Sequence, residues 1–132
     1  MDTITYLLVR LALAISLFGH GLVRLPKLTI FSNWMIKSFE SSMLPKLLVI
    51  PFSYTLPIAE FIIGTLLILG LFTKTALVMG GIVMLMLVLG TCLIENWEAL
   101  QSQMIHVAFI AILLQFVKDC NEFSLDSIIF KP

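Results

Sequence analysis

Charge is scarce in this chain: only 12% of its 132 residues are Asp, Glu, Lys or Arg, about half the share of an ordinary soluble domain. The eight basic and eight acidic side chains cancel, so the chain lacks the basic stripe that a nucleic-acid binder needs. Cysteine is almost missing as well. Cys92 and Cys120 form neither a C-x-x-C motif nor a metal-ligand spacing, which argues against a paired redox motif and against a bound metal. No Ser/Gly/Pro-rich linker or charge block divides the sequence, and 1–132 reads as one domain.

What the chain has in quantity is hydrocarbon: 60% of its residues are hydrophobic and its mean hydropathy is +1.09. Four apolar runs, near 4–23, 47–72, 75–94 and 100–117, each approach the ~20 residues that cross ~30 Å of bilayer core. Backbone groups at that depth must bond within their own segment, and no run shows the alternation of a barrel strand. The expected fold is all-α, an integral membrane four-helix bundle with the lipid bilayer as its first partner. The first run carries Arg10 and follows Met1 and Asp2, unlike a secretory signal, and is expected to be retained.

Between the first two runs, 29–46 is amphipathic. Ile30, Phe31, Trp34, Met35 and Phe39 recur near helical spacing, with Ser32, Asn33, Lys37, Ser38 and Ser41 between them. This segment is expected to lie in the membrane interface with Trp34 at headgroup depth, and Pro45 and Pro51 to mark the turn into the second span. Hairpins are expected at Thr73-Lys74 and over 95–99, which includes Trp97. Four spans put both termini on one side, here the terminal side, opposite a loop side. Arg24, Lys27, Lys37 and Lys46 fall on the loop side and Lys74, Lys118 and Lys131 on the terminal side, so the positive-inside rule sets no orientation. Gly64, Gly70, Gly80, Gly81 and Gly90 let helices approach closely within the bundle; a homo-oligomer contact at Gly80 and Gly81 is the sharper alternative.

Arg10, His20, Glu60 and His106 are polar residues inside apolar runs, where a charge costs about 2.5–3.5 kcal/mol even on the lenient insertion scale. A rise of 1.5 Å per residue places Arg10 about 9 Å inside the terminal side, Glu60 near the middle, and His20 and His106 roughly 5–10 Å from the loop side. For Arg10 and Glu60 the plain expectation is an ion pair that joins the first span to the second; Glu60 as a proton acceptor near His20 is the functional alternative. Two imidazoles at one depth could clasp a haem, but a small bundle leaves it little room. A hydrogen-bonding site for a quinone or similar headgroup fits better, walled by Phe18, Phe61 and Trp97, and it requires the two histidines within about 12 Å of each other. Taken singly, each histidine is equally well explained by a bond to a neighbouring carbonyl.

These residues sit in recognisable runs. Arg10, Phe18 and His20-Gly21-Leu22-Val23-Arg24-Leu25 resemble the first-helix signature of DoxX-like membrane proteins. Leu56-Pro57, Glu60, Gly64 and Leu69-Gly70-Leu71-Phe72-Thr73-Lys74 resemble that family's second helix and hairpin, and Phe123-Ser124-Leu125-Asp126 resembles its closing tail. The resemblance implies a four-helix protein of the bacterial inner membrane, with some relatives serving as the small subunit of thiosulfate:quinone oxidoreductase. It adds Arg24 to the candidate ligand-binding set of His20, Glu60, His106 and Arg10, and it suggests a redox partner protein in or on the membrane. Whether the chain is itself an enzyme stays open. A non-catalytic scaffold or assembly factor is the competing class, and a carrier lacks the expected inverted repeats or broken helices. If 29–46 lies along the interface, cysteines placed at Lys37 and Ser41 will react with a membrane-impermeant thiol reagent from the loop side only; protection from both sides would refute that placement.

Overall fold

A computed structural model describes residues 1–130; Lys131, counted above with the terminal side, lies outside the described residues. The described residues form six α-helices: α1 (Thr3–Arg24), α2 (Leu28–Ser38), α3 (Lys46–Leu69), α4 (Thr73–Leu93), α5 (Trp97–Cys120) and the short α6 (Leu125–Ile129). A single 3-10 turn, Leu25–Lys27, joins α1 to α2. Four helical stretches are long and apolar enough to cross a membrane, and they match the four runs in the sequence.

Burial follows the 3.6-residue period. On α1 the buried stripe is Tyr6, Arg10, Leu13, Ala14, Leu17 and Gly21, whereas Ile4, Leu8, Ile15 and Leu22 lie exposed on other faces. Exposed apolar side chains of this kind cover all four long helices, as expected of a bundle whose solvent is lipid. At the start of α1, Asp2 accepts hydrogen bonds from the backbone and hydroxyl of Thr5, and these bonds hold its carboxyl below the ordinary carboxylate value.

The closest approach joins α1 and α3. A Cβ on Gly21 would lie 2.5 Å from the Phe61 nitrogen, and one on Gly64 would collide with the Phe18 backbone in the same way. Each glycine therefore receives the backbone of the opposite helix, and the Phe18 and Phe61 rings stack beside the crossing at 5.1 Å. The two aromatics expected to wall a ligand site instead pack on each other. Gly80 and Gly81 face Ile63 and Ile110 at ordinary contact distances within the same chain, so their role here is packing inside the bundle.

Several boundaries differ from expectation for local reasons. The second span stops at Leu69 rather than 72, because Gly70 adopts φ 64° and ends the helix. Thr73 then opens α4 rather than forming the hairpin. On the other side the turn is 94–96, with Asn96 accepting from the Ala99 N–H and Trp97 already helical. Pro51 lies inside α3, which begins directly after Pro45; the carbonyl partners it frees are tolerated in a membrane helix.

The amphipathic segment is helical for 11 residues, and its polarity is partly inverted. Ser32 and Met35 are buried, while Ile30 and Trp34 are exposed. Ser53 donates to the Ile50 carbonyl at 2.6 Å, which leaves Ser32 to donate to Ser53 across a 2.7 Å contact. Small hydroxyls thus bring α2 against α3. The α1–α3 crossing generates a stability prediction: Gly21→Leu and Gly64→Leu should each destabilise at or above the upper end of the usual overpacking range, about 1–3 kcal/mol, whereas Gly81→Ala should be nearly neutral. Thermal unfolding in detergent reads both, and equal effects at Gly64 and Gly81 would refute the crossing.

Candidate functional site

The antiparallel register set at Gly21 and Gly64 carries α1 one further turn along α3, and there Arg24 meets Glu60. The Arg24 Nη1 donates to Glu60 Oε2 at 2.7 Å. The Arg24 guanidinium also lies over the Phe31 ring, 4.6 Å from its centre, so α2 helps hold the cation. Arg24 retains 29% of its side-chain exposure and Glu60 only 3%, which leaves the remaining guanidinium donors free for a ligand while the carboxylate is committed.

This replaces the expected Arg10–Glu60 pair. Arg10 is buried at the opposite end of the bundle, where it donates to the Asn121 side chain and, at 2.7 Å, to the Phe123 carbonyl. The depth estimate had placed the two residues within an arginine's reach, but the register gives Glu60 a nearer cation. Arg10 is therefore not brought together with His20, Arg24, Glu60 and His106. Around it the two signature runs converge. Asp126 accepts from the Phe72 and Thr73 backbone at 2.6 and 2.7 Å, capping α4, while its own N–H donates to the Gly70 carbonyl at 2.9 Å. Gly70 cannot carry a side chain there: a Cβ would meet Ser124 at 2.5 Å and Arg10 at 2.8 Å. Asn121 completes the network by donating to Thr73 at 3.1 Å.

On the loop side, the His20 and His106 rings lie 6.4 Å apart, tilted by 46°. Their environments differ. The Ser102 carbonyl can only accept, so His106 Nδ1 carries the proton across that 2.7 Å bond, and its Nε2 accepts from the Ser16 hydroxyl at 2.8 Å. Both His106 nitrogens are engaged within the protein. His20 is exposed, with the Ser16 carbonyl one turn back as its backbone neighbour.

A cavity of about 240 Å³ collects His20, Arg24, Glu60 and His106 among α1, α2, α3, α4 and α5. Its polar lining also includes Thr91, Asn96, Ser102 and Gln103, and its aromatic walls are Phe31, Trp34, Phe39 and Phe52. Trp97 is not among the lining residues. Gln103 donates to Thr91 at 2.7 Å, and its carbonyl oxygen is buried without a protein partner. Neither Thr91 nor Gln103 stood out in the sequence, because uncharged polar residues near span ends are common. Their location relative to His106, three residues after Gln103, was the available signal.

The DoxX family model matches residues 5–93, two-thirds of the chain. The chain belongs to the DoxX family. No curated protein matches it, and no solved structure does. The DoxX match runs from the first turn of α1 to the end of α4, and so contains His20, Arg24 and Glu60. His106, Gln103 and the tail that binds Arg10 lie beyond it. As a DoxX-family chain with four apolar spans, the protein is a multi-pass integral membrane protein. Double-mutant cycles should separate the two arginines: Arg24→Leu and Glu60→Leu will couple by about 0.5–3 kcal/mol, whereas Arg10→Leu and Glu60→Leu will add. Coupling to Arg10 and not to Arg24 would refute the observed pairing.

Proposed function

We propose that this DoxX-family protein is a redox-associated membrane subunit that binds a quinone, or a similar amphiphile with a neutral headgroup, in the loop-side cavity. The observation that carries this reading is the convergence of an exposed imidazole, a partly exposed guanidinium and a buried carboxylate on one aromatic-walled space. Arg24 and Glu60 cancel in charge, which favours an uncharged ligand over an ion. The volume lies a little below the roughly 300–1,000 Å³ usual for small-ligand pockets, a size suited to a single ring. Quinone carbonyls accept hydrogen bonds, and the His20 ring and the unused Arg24 donors can supply them. Glu60, paired with Arg24 in the same cavity, holds that guanidinium for the headgroup, while protons and electrons would come through a partner redox enzyme in a bacterial inner membrane.

A second reading is favoured by a specific feature. Arg24–Glu60 ties α1 to α3, and Ser16–His106 ties α1 to α5, so the same residues serve equally well as locks in a non-catalytic scaffold. The distinction falls on His20, which contributes little to either tie. Purified protein in detergent should bind a benzoquinone, and His20→Ala should weaken that binding by about tenfold or more, the cost of one lost hydrogen bond to a buried group, with the fold retained by circular dichroism. Undiminished binding and cellular function in His20→Ala would overturn the quinone reading and support the scaffold.

A further inference from the structure

The polar cavity does not end at its aromatic wall. A second space of about 250 Å³ adjoins it between the end of α2, the start of α3 and the end of α4, and every residue that lines it is apolar or glycine. Met35, Phe39, Phe52, Met86 and Gly90 line both spaces, so the two adjoin along a shared wall. At the junction, a Cβ on Gly90 would lie 3.1 Å from the Phe39 ring; the missing side chain lets the ring sit against α4. Beyond it, Leu48 and Leu89 are 58% and 60% exposed at the outer part of the groove, which makes it open sideways, toward lipid.

We infer that the ligand of the polar cavity carries an apolar tail, of the isoprenoid or alkyl class, which passes Phe39 and lies in this groove toward Leu48 and Leu89. The inference rests on the headgroup site proposed above and deepens it. A headgroup alone would need only the first space. The second space has no polar group to orient a ligand, so its occupant is held by burial of hydrocarbon and positioned by whatever it is attached to. Adjacency to the polar cavity, across the Phe39 side chain, supplies that attachment, and the lateral opening supplies the entry route for a molecule dissolved in the bilayer.

The test compares 2,3-dimethoxy-5-methylbenzoquinone with its decyl derivative, titrated against the full-length protein in one detergent. Leu89→Trp and Leu48→Trp alter exposed positions that line the groove and not the polar cavity, so each fills the groove with little risk to the fold. Each should weaken the decyl compound by roughly tenfold, the order expected from exposing two or three methylenes, and should leave the tail-free compound within about twofold. His20→Ala should weaken both compounds. Equal effects of the tryptophan variants on the two compounds, or no effect on either, would overturn the tail assignment while leaving the headgroup site intact. Failure of both compounds to bind the unaltered protein would overturn the headgroup site and the tail with it. If a phosphatidylcholine displaces the decyl compound with sensitivity to Leu89→Trp but none to His20→Ala, the groove holds a lipid acyl chain and the inference is wrong.

Discussion

The contact between α1 and α3 at Gly21 and Gly64 governs much of the arrangement around it. Lipid offers no hydrophobic drive for helices to associate, so their adhesion comes from close packing and from polar bonds. Two glycines, each receiving the backbone beside a phenylalanine, produce that packing and set the antiparallel register. Register then determines chemistry. One turn beyond the crossing it aligns Arg24 with Glu60, and farther along it aligns Ser32 of α2 with Ser53 of α3.

Two arginine environments follow from this geometry, Arg10 buried and Arg24 partly exposed, and they are solved differently. Arg24 has a carboxylate and an aromatic face, with part of its surface left toward a cavity. Arg10 has neutral oxygen acceptors from the tail after α5, and that tail also caps α4 through Asp126. The second arrangement closes on itself and pins the chain's final helix to the bundle. The first leaves part of the guanidinium facing the cavity.

Membership of the DoxX family and the loop-side cavity bear on function in different ways. The family match covers the first three spans and, in the cavity, His20, Arg24, Glu60 and Thr91. The remaining wall comes from α5, outside the matched region, where His106 is held by Ser102 and Ser16 and Gln103 by Thr91. The part of the cavity contributed by α5 shapes it without supplying the Arg24–Glu60 charge pair.

The sequence by itself determined that the chain crosses the bilayer four times as helices, because ~20-residue apolar runs can satisfy their backbone there in no other compact way. It also determined that His20 and His106 share a depth, since rise per residue converts position in a span directly into height. Partner choice was beyond it. Position along the spans points Glu60 to Arg10, and only the rotation and register fixed by two glycine contacts select Arg24. The same limit applied to α2, where the apolar stripe predicts the buried face in water. Against other helices in lipid, Ser32 packs inward and Ile30 faces out, because a small hydroxyl with a partner permits a closer approach than a branched side chain. Tertiary structure decided those faces, and with them which side chains line the cavity.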